Sequence, residues 1–261
     1  MLEKKMKRIT DEDIIKHSLS SKEFTNLNIR LLDSDTRIEE GDRFEVIFRG
    51  IKEEIPKVEL VGNTMNVEQN IDESEDYIYK LNHRYDLGVE ITVPKGTELD
   101  KVNITSLDGD IKLRKLNVNN LYIKSGDGDI NVEDSTIHAG EIFALDGDFK
   151  SDNSDLISVA VQIDDGDADM KRMNLDSGSM NIIDGNFKLW DSHLNGKYYV
   201  RNSEGDNEVE GVKDDDYGYV LDTLDGDNVL FNQSRQGHLE KNTRAKNIMY
   251  MKTMDGNNIV K

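Results

Sequence analysis

One triplet, an acidic residue, a glycine and then Asp or Asn, returns eight times along this chain, centred on Gly109, Gly128, Gly147, Gly166, Gly185, Gly205, Gly226 and Gly256. Subtracting neighbouring positions gives spacings of 19, 19, 19, 19, 20, 21 and 30 residues. A fixed period of this length is the mark of a stacked repeat, in which no single unit can bury its own apolar side chains.

The columns of the repeat show which side faces inward. Five residues before each glycine stand Ile104, Ile123, Ile142, Val161, Met180, Val200, Leu221 and Met251. The next position is mostly polar, as at Thr105, Lys124, Gln162, Asn181 and Arg201, which is the two-residue alternation of a β-strand. Four residues after the glycine come Leu113, Val132, Ser151, Met170, Leu189, Val209, Leu230 and Val260. A third column, nine after it, reads Val118, Ile137, Leu156, Leu175 and Leu194 before failing at Asp214. Three inward columns separated by turns predict an all-β fold, a parallel β-solenoid of about 19-residue coils. Eight such coils would form a rod on the order of 38 Å long. A helical reading of the repeats fails, because the apolar residues do not recur at three and four and Gly beside Asp is poor helix material.

The expected organisation is a short charged segment over 1–23, helical or disordered, followed by a solenoid over 24–261. Within the solenoid, irregular strands occupy 24–102, regular coils 103–230 and an enlarged last coil 231–261. Phe24 to Leu32, Arg43 to Phe48 and Val89 to Val93 alternate like strands, with turns at Asp33 to Asp35 and Glu40 to Asp42. Before Phe24, Thr10 followed by Asp11 to Asp13 reads as the start of a short helix with Ile14, Ile15 and Leu19 on one face. The chain ends on Ile259, Val260 and Lys261 directly after a repeat, so an uncovered last coil calls for a covering loop or a second copy.

Charge and composition narrow the function. Lys and Arg number 33 against 53 Asp and Glu, a net charge of −20, so the basic stripe that nucleic acid requires is missing. Neither a secretory signal nor an apolar run long enough for a transmembrane helix is present, so the cytoplasm is the expected compartment, with the cell envelope or surface as the alternative. Without cysteine there is no disulfide, thiolate metal site or cysteine nucleophile.

The stretch Val89-Glu90-Ile91-Thr92-Val93-Pro94-Lys95-Gly96-Thr97, followed by Ile104 to Ile111 and by Ile123 to Ile130 with their Asp-Gly-Asp centres, resembles a bacterial adhesin-type domain of unknown function, also called the toastrack domain. The likeness runs from about Phe24 to Phe231. It implies a β-solenoid without established enzyme activity, often joined to membrane or helical modules and often associated with envelope-stress systems. The resulting expectation is a non-enzymatic scaffold or binding module that presents a repetitive acidic surface to a protein partner or to a second copy of itself.

The acidic columns are the first candidate site. Stacked coils put like charges about 5 Å apart, costing about 0.8 kcal/mol per neighbouring pair in bulk water and about 3 kcal/mol at an effective dielectric of 20. One relief is a row of Ca²⁺ ions held by Asp108, Asp110, Asp127, Asp129, Asp146, Asp148, Asp165 and Asp167. The other is turn chemistry, in which each carboxylate accepts amide hydrogen bonds; Asn186 and Asn257, which keep the oxygen and drop the charge, favour it. No cofactor is expected beyond that Ca²⁺. A β-helical polysaccharide-cleaving enzyme is the lesser alternative, since it needs one singular carboxylate pair in a cleft and these acids are copied in every coil. His17, His83, His138, His193 and His238 share no ligand spacing. Five after the glycine, in an outward column of mainly charged residues, stand Trp190 and Phe231, candidate anchors for a partner. Arg235, Lys241, Arg244 and Lys246 cluster in the 30-residue gap, and either fold over the end of the rod or touch anionic lipid.

Overall fold

The structure, a computed structural model, describes residues 5–69, 75–79, 87–211 and 217–261. His83 and Asp214 lie outside the described residues. Two sheets of thirteen strands each face one another across a single apolar interior. Each regular rung contributes a long strand to one sheet, such as Asn117–Ser125, and a short strand to the other, such as Ile130–Glu133. The long strands pair in parallel, one rung to the next, and so do the short ones.

The inward columns stack as their periodicity requires. Ile104 lies over Ile123 and Ile123 over Ile142, and the column continues through Val161, Met180 and Val200. Every one of these side chains is buried. Full burial of a side chain of this size stabilises by roughly 1.5–3 kcal/mol, so a rung that stacks gains what an isolated coil cannot.

The expected three-sided coil has only two sheets. The columns nine after and five before the glycine share one long strand, as Leu156 and Val161 do within Asp155–Asp165. Where a turn was expected between them, a single residue of positive φ re-aims the strand, Ser158 at φ 51° and Ser177 at φ 50°.

Both ends depart from sequence order. Asn26–Leu31 and Thr36–Gly41 pair directly with Glu98–Ser106 and Ile111–Arg114, so residues 26–41 form a regular rung inside the stretch expected to be irregular. Thr64–Glu68 and Gly88–Pro94 then pair on its far side. At the other end, Ile248–Asp255 pairs with both His193–Glu204 and Gly218–Asp225, and Asn258–Val260 lies between Asn207–Glu210 and Asn228–Leu230. The last coil in sequence is therefore an interior rung, not the exposed edge expected of it. Ten rungs result, spanning about 43 Å at about 4.8 Å per step.

Antiparallel strands close both ends and remove the edges on which further parallel rungs could grow. Gln233–Arg235 and His238–Lys241 cover the final rung, which makes the 30-residue gap a cap and places Arg235, Lys241, Arg244 and Lys246, all exposed, in or just after it. Lys57–Val61 and Glu45–Gly50 cover the first rung, and Ile15–Ser20 pairs outside the latter. The expected helix after Thr10 is only a 3-10 turn at Asp11–Asp13, where Asp13 accepts the Thr10 amide at 2.8 Å. The residues beyond it continue as strand because the sheet edge at 45–50 supplies partners that a two-turn helix would lack.

Candidate functional site

The corner that carries the glycines is built by close approach. A Cβ on Gly109 would lie 2.2 Å from the Ser34 carbonyl oxygen, and one on Gly128 would lie 2.3 Å from that of Gly109. The same contact recurs through Gly147, Gly166, Gly185, Gly205, Gly256 and Gly226. Ser34 begins the column and needs no glycine. Its hydroxyl accepts the Gln69 side-chain amide at 3.0 Å. Asp33-Ser34-Asp35 is thus a ninth copy of the triplet, hidden from a search for glycine.

The residue after each glycine forms a side-chain ladder. Asp35 accepts the Asp110 amide, Asp110 that of Asp129, Asp129 that of Asp148 and Asp148 that of Asp167, all at 2.9–3.0 Å. Asp167, Asn186, Asp206 and Asn257 continue it to the Asp227 amide at 2.7–3.1 Å. Asn186 and Asn257 also donate to the carboxylate of the preceding rung, at 3.1 and 3.0 Å. Lys150 bridges Asp148 at 2.9 Å and Asp129 at 3.3 Å. Burial pushes the Asp148 carboxyl up, but the Asp167 amide and Lys150 outweigh it and hold the group below its ordinary value. Backbone amides, two asparagines and one lysine therefore relieve this column, with Asp110, Asp129, Asp148 and Asp167 each committing Oδ1 to the next rung.

The residue before each glycine behaves differently. Asp108, Asp127, Asp146, Asp165, Asp184, Glu204, Asp255 and Asp225, in spatial order, are all exposed. No ion pair reaches any of them among the described residues. Near the start of this row, partial burial and then the neighbouring Asp108 push the Asp33 carboxyl up. Among the described residues no three Asp, Glu or His side chains converge as a cage for an ion.

One position further back lies a column that the sequence reading missed. In spatial order it reads Leu107, Gly126, Leu145, Asp164, Ile183, Ser203, Met254 and Leu224. Its five apolar members are 52%, 57%, 52%, 53% and 81% exposed, five of the nine exposed large apolar side chains described. Between Leu107 and Leu145 a groove of about 660 Å³ opens over Gly126, walled by Tyr122 and Phe143, whose rings sit 5.9 Å apart. Its signal, an aliphatic residue at 107, 145 and 183, repeats every 38 residues, twice the period used to align the coils.

Trp190 and Phe231 are not brought together. They lie three rungs apart on the short-strand sheet, about 14 Å. Trp190 is half-buried with Lys171 6.0 Å from its ring, while Phe231, exposed, has Lys241 at 4.7 Å and the edge of Tyr219 at 5.8 Å. Elsewhere that face carries paired charges, including Lys112 with Glu133 and Lys261 with Glu208. Of the described histidines, His138 contacts Asn117, and His238 sits on the cap between Asp222 at 2.7 Å and Glu240 at 3.3 Å.

A two-sheet parallel β-solenoid with acid-glycine corners defines the class of this molecule. The chain belongs to the Toastrack DUF4097 family, whose model matches residues 24–261. No curated protein matches it. Solved structures similar to it include three that each bear a provisional name. The first, an adhesin from Bacteroides fragilis, is 13% identical with a TM-score of 0.41, over 97% of this chain and 98% of that one. A cell adhesion protein from Clostridium sporogenes is 11% identical with a TM-score of 0.28, over 95% and 97%. A lipid binding protein from Parabacteroides distasonis is 11% identical with a TM-score of 0.37, over 97% and 100%. Likenesses of this strength assign neither ligand nor partner to the present chain.

Proposed function

We propose that this protein is a non-enzymatic binding module of a bacterial envelope or envelope-stress system, and that it presents the acid row of its glycine corner to a protein partner. The observation that carries this reading is the row itself, eight exposed carboxylates about one rung apart with no cation paired to any of them among the described residues. Unscreened like charges at this spacing repel by about 0.8 kcal/mol per pair even in bulk water, and a cationic partner turns that repulsion into attraction.

A photo-crosslinking residue placed at Asp165 on this corner, and at Asp134 on the opposite one, tests the reading in living cells. Discrete protein adducts from the first position alone, lost when Asp127, Asp146 and Asp184 are changed to Asn, are the expected result. Equal adducts from both corners would discard it. Ca²⁺ along the same row is the competing reading, and melting with Ca²⁺ and with chelator separates the two: a rise of several degrees with Ca²⁺ would replace the partner by the ion.

A further inference from the structure

Resting on that reading of the acid row, we infer that the glycine corner is built to seat a cationic amphipathic α-helix of another protein, lying along the rod. Two features of different chemistry run side by side there. The acid row puts a carboxylate on each rung from Asp108 to Asp225, and the column beside it puts a large aliphatic side chain at Leu107, Leu145, Ile183 and Met254, every second rung, with Leu224 on the rung after Met254. Gly126 between the first two is held small because its Cβ would lie 2.3 Å from the Leu107 carbonyl oxygen, and this opens the groove beside the packed rings of Tyr122 and Phe143.

The spacing selects the occupant. Two rungs advance about 9.6 Å. Seven residues of an α-helix advance about 10.5 Å, so over the four rungs from Leu107 to Ile183 a helix drifts by only about 2 Å, less than the width of a side chain. An extended segment repeats one face every ~6.8 Å and falls out of step by about 3 Å at the first stud. A helix with apolar residues seven apart therefore meets the studs, and lysine or arginine on its flank meets the carboxylates. An anionic surface is repelled by the same row.

The test uses the full chain and two dye-labelled peptides of one composition, 21 residues of leucine, alanine and lysine. In the first, leucines fall every seventh residue beside a lysine flank; in the second they are scattered around the helix. Fluorescence anisotropy at physiological salt should show the first binding at least ten-fold more tightly. The combined Leu107→Ser, Leu145→Ser and Ile183→Ser variant should lose that advantage, with melting unchanged because these side chains are exposed. Leu145→Lys alone, which adds a like charge for the peptide, should weaken binding several-fold and serves if the triple variant melts early. Equal binding of the two peptides, or wild-type binding by both ridge variants, would overturn the inference. Asp127→Asn, Asp146→Asn and Asp165→Asn together should weaken both peptides. If they do while the ridge variants change nothing, the acidic scaffold stands and only the helix falls; if they change nothing, the scaffold falls too.

Discussion

Each rung turns twice, and the two corners solve the same problem by different means. Six residues after the glycine, the second corner turns on Lys115, Asp134, Asn153, Arg172 and Asp191, all at φ between 47° and 54°. Their side chains point outward, carry both signs and pair locally, as Asn153 does with Asp134 at 2.7 Å. The first corner has glycine at every rung from Gly109 to Gly226, although Gly109 and Gly128 have no positive φ. A left-handed backbone is therefore tolerated without glycine where there is room, while an ordinary backbone demands glycine where a neighbouring carbonyl occupies the place of Cβ. The difference also divides the surface. Tight stacking at the first corner aligns one sign of charge and one aliphatic column, whereas the looser second corner shows an unremarkable mixed face.

The comparison breaks most easily at the glycines. Gly128→Ala should cost about 3 kcal/mol or more in urea denaturation, since backbone must move to admit the methyl group. Asn153→Gly at the second corner should stay within about 1 kcal/mol of wild type. Comparable losses at both sites would end the distinction between space and conformation.

Next in size are the hydrogen-bonded columns. Asp129→Ala strands the Asp148 amide and should cost about 1–2 kcal/mol, while Asp129→Asn, which keeps the acceptor as position 186 does, should cost much less. Ser154→Ala at the second corner removes the acceptor of the Ser135 amide and should cost about as much as Asp129→Ala, because there too a buried donor is left unmet.

Smaller effects follow pH. The Asp148 carboxyl is depressed in the folded state, so its contribution is complete above the ordinary carboxylate value near 3.8 and is lost as pH falls through the lower folded one. Lys150→Met should shrink this acid-side loss, read as the change in urea midpoint between pH 5 and pH 3. On the cap, the Asp222 hydrogen bond raises His238, burial opposes it, and Glu240 adds to the rise. Its contribution is complete below the ordinary histidine value near 6.5 and fades as pH rises through the higher folded one, so His238→Gln should flatten amide exchange in 238–241 between pH 6 and pH 8. The least change is expected of Leu145→Ser, within about 0.5 kcal/mol, because an exposed stud gives up little on truncation.

Much of this was legible in advance. Ile104, Ile123 and Ile142 announce a shared interior because only stacked strands bury an apolar residue every nineteen positions. The turn reading of the acids followed from Asn186, which keeps an acceptor without a charge. Other features were hidden for physical reasons. Ser34, whose hydroxyl meets the Gln69 side-chain amide, stands where later rungs carry glycine, so the rung at 26–41 escapes a glycine search. The aliphatic ridge has twice the coil period and disappears when coils are aligned one by one. Trp190 and Phe231 stand two coils apart in the aligned copies but three rungs apart in the structure, because 248–260 inserts between 193–210 and 218–230.

Sequence alone determined the rung: its length, its buried columns and the corner that repeats an acid, a glycine and Asp or Asn. The order of the rungs was left to the tertiary structure, because every coil presents the same register above and below and would stack on any other. What decides it is the ends. Residues 248–260 enter between 193–210 and 218–230, joined there by the buried contacts of Asn258 with Asn207 and with Asn228, each at 2.8 Å, and the antiparallel strands at 233–241 then close the sheet edges that remain. That choice depends on contacts between segments up to 51 residues apart, which no local pattern along the chain encodes.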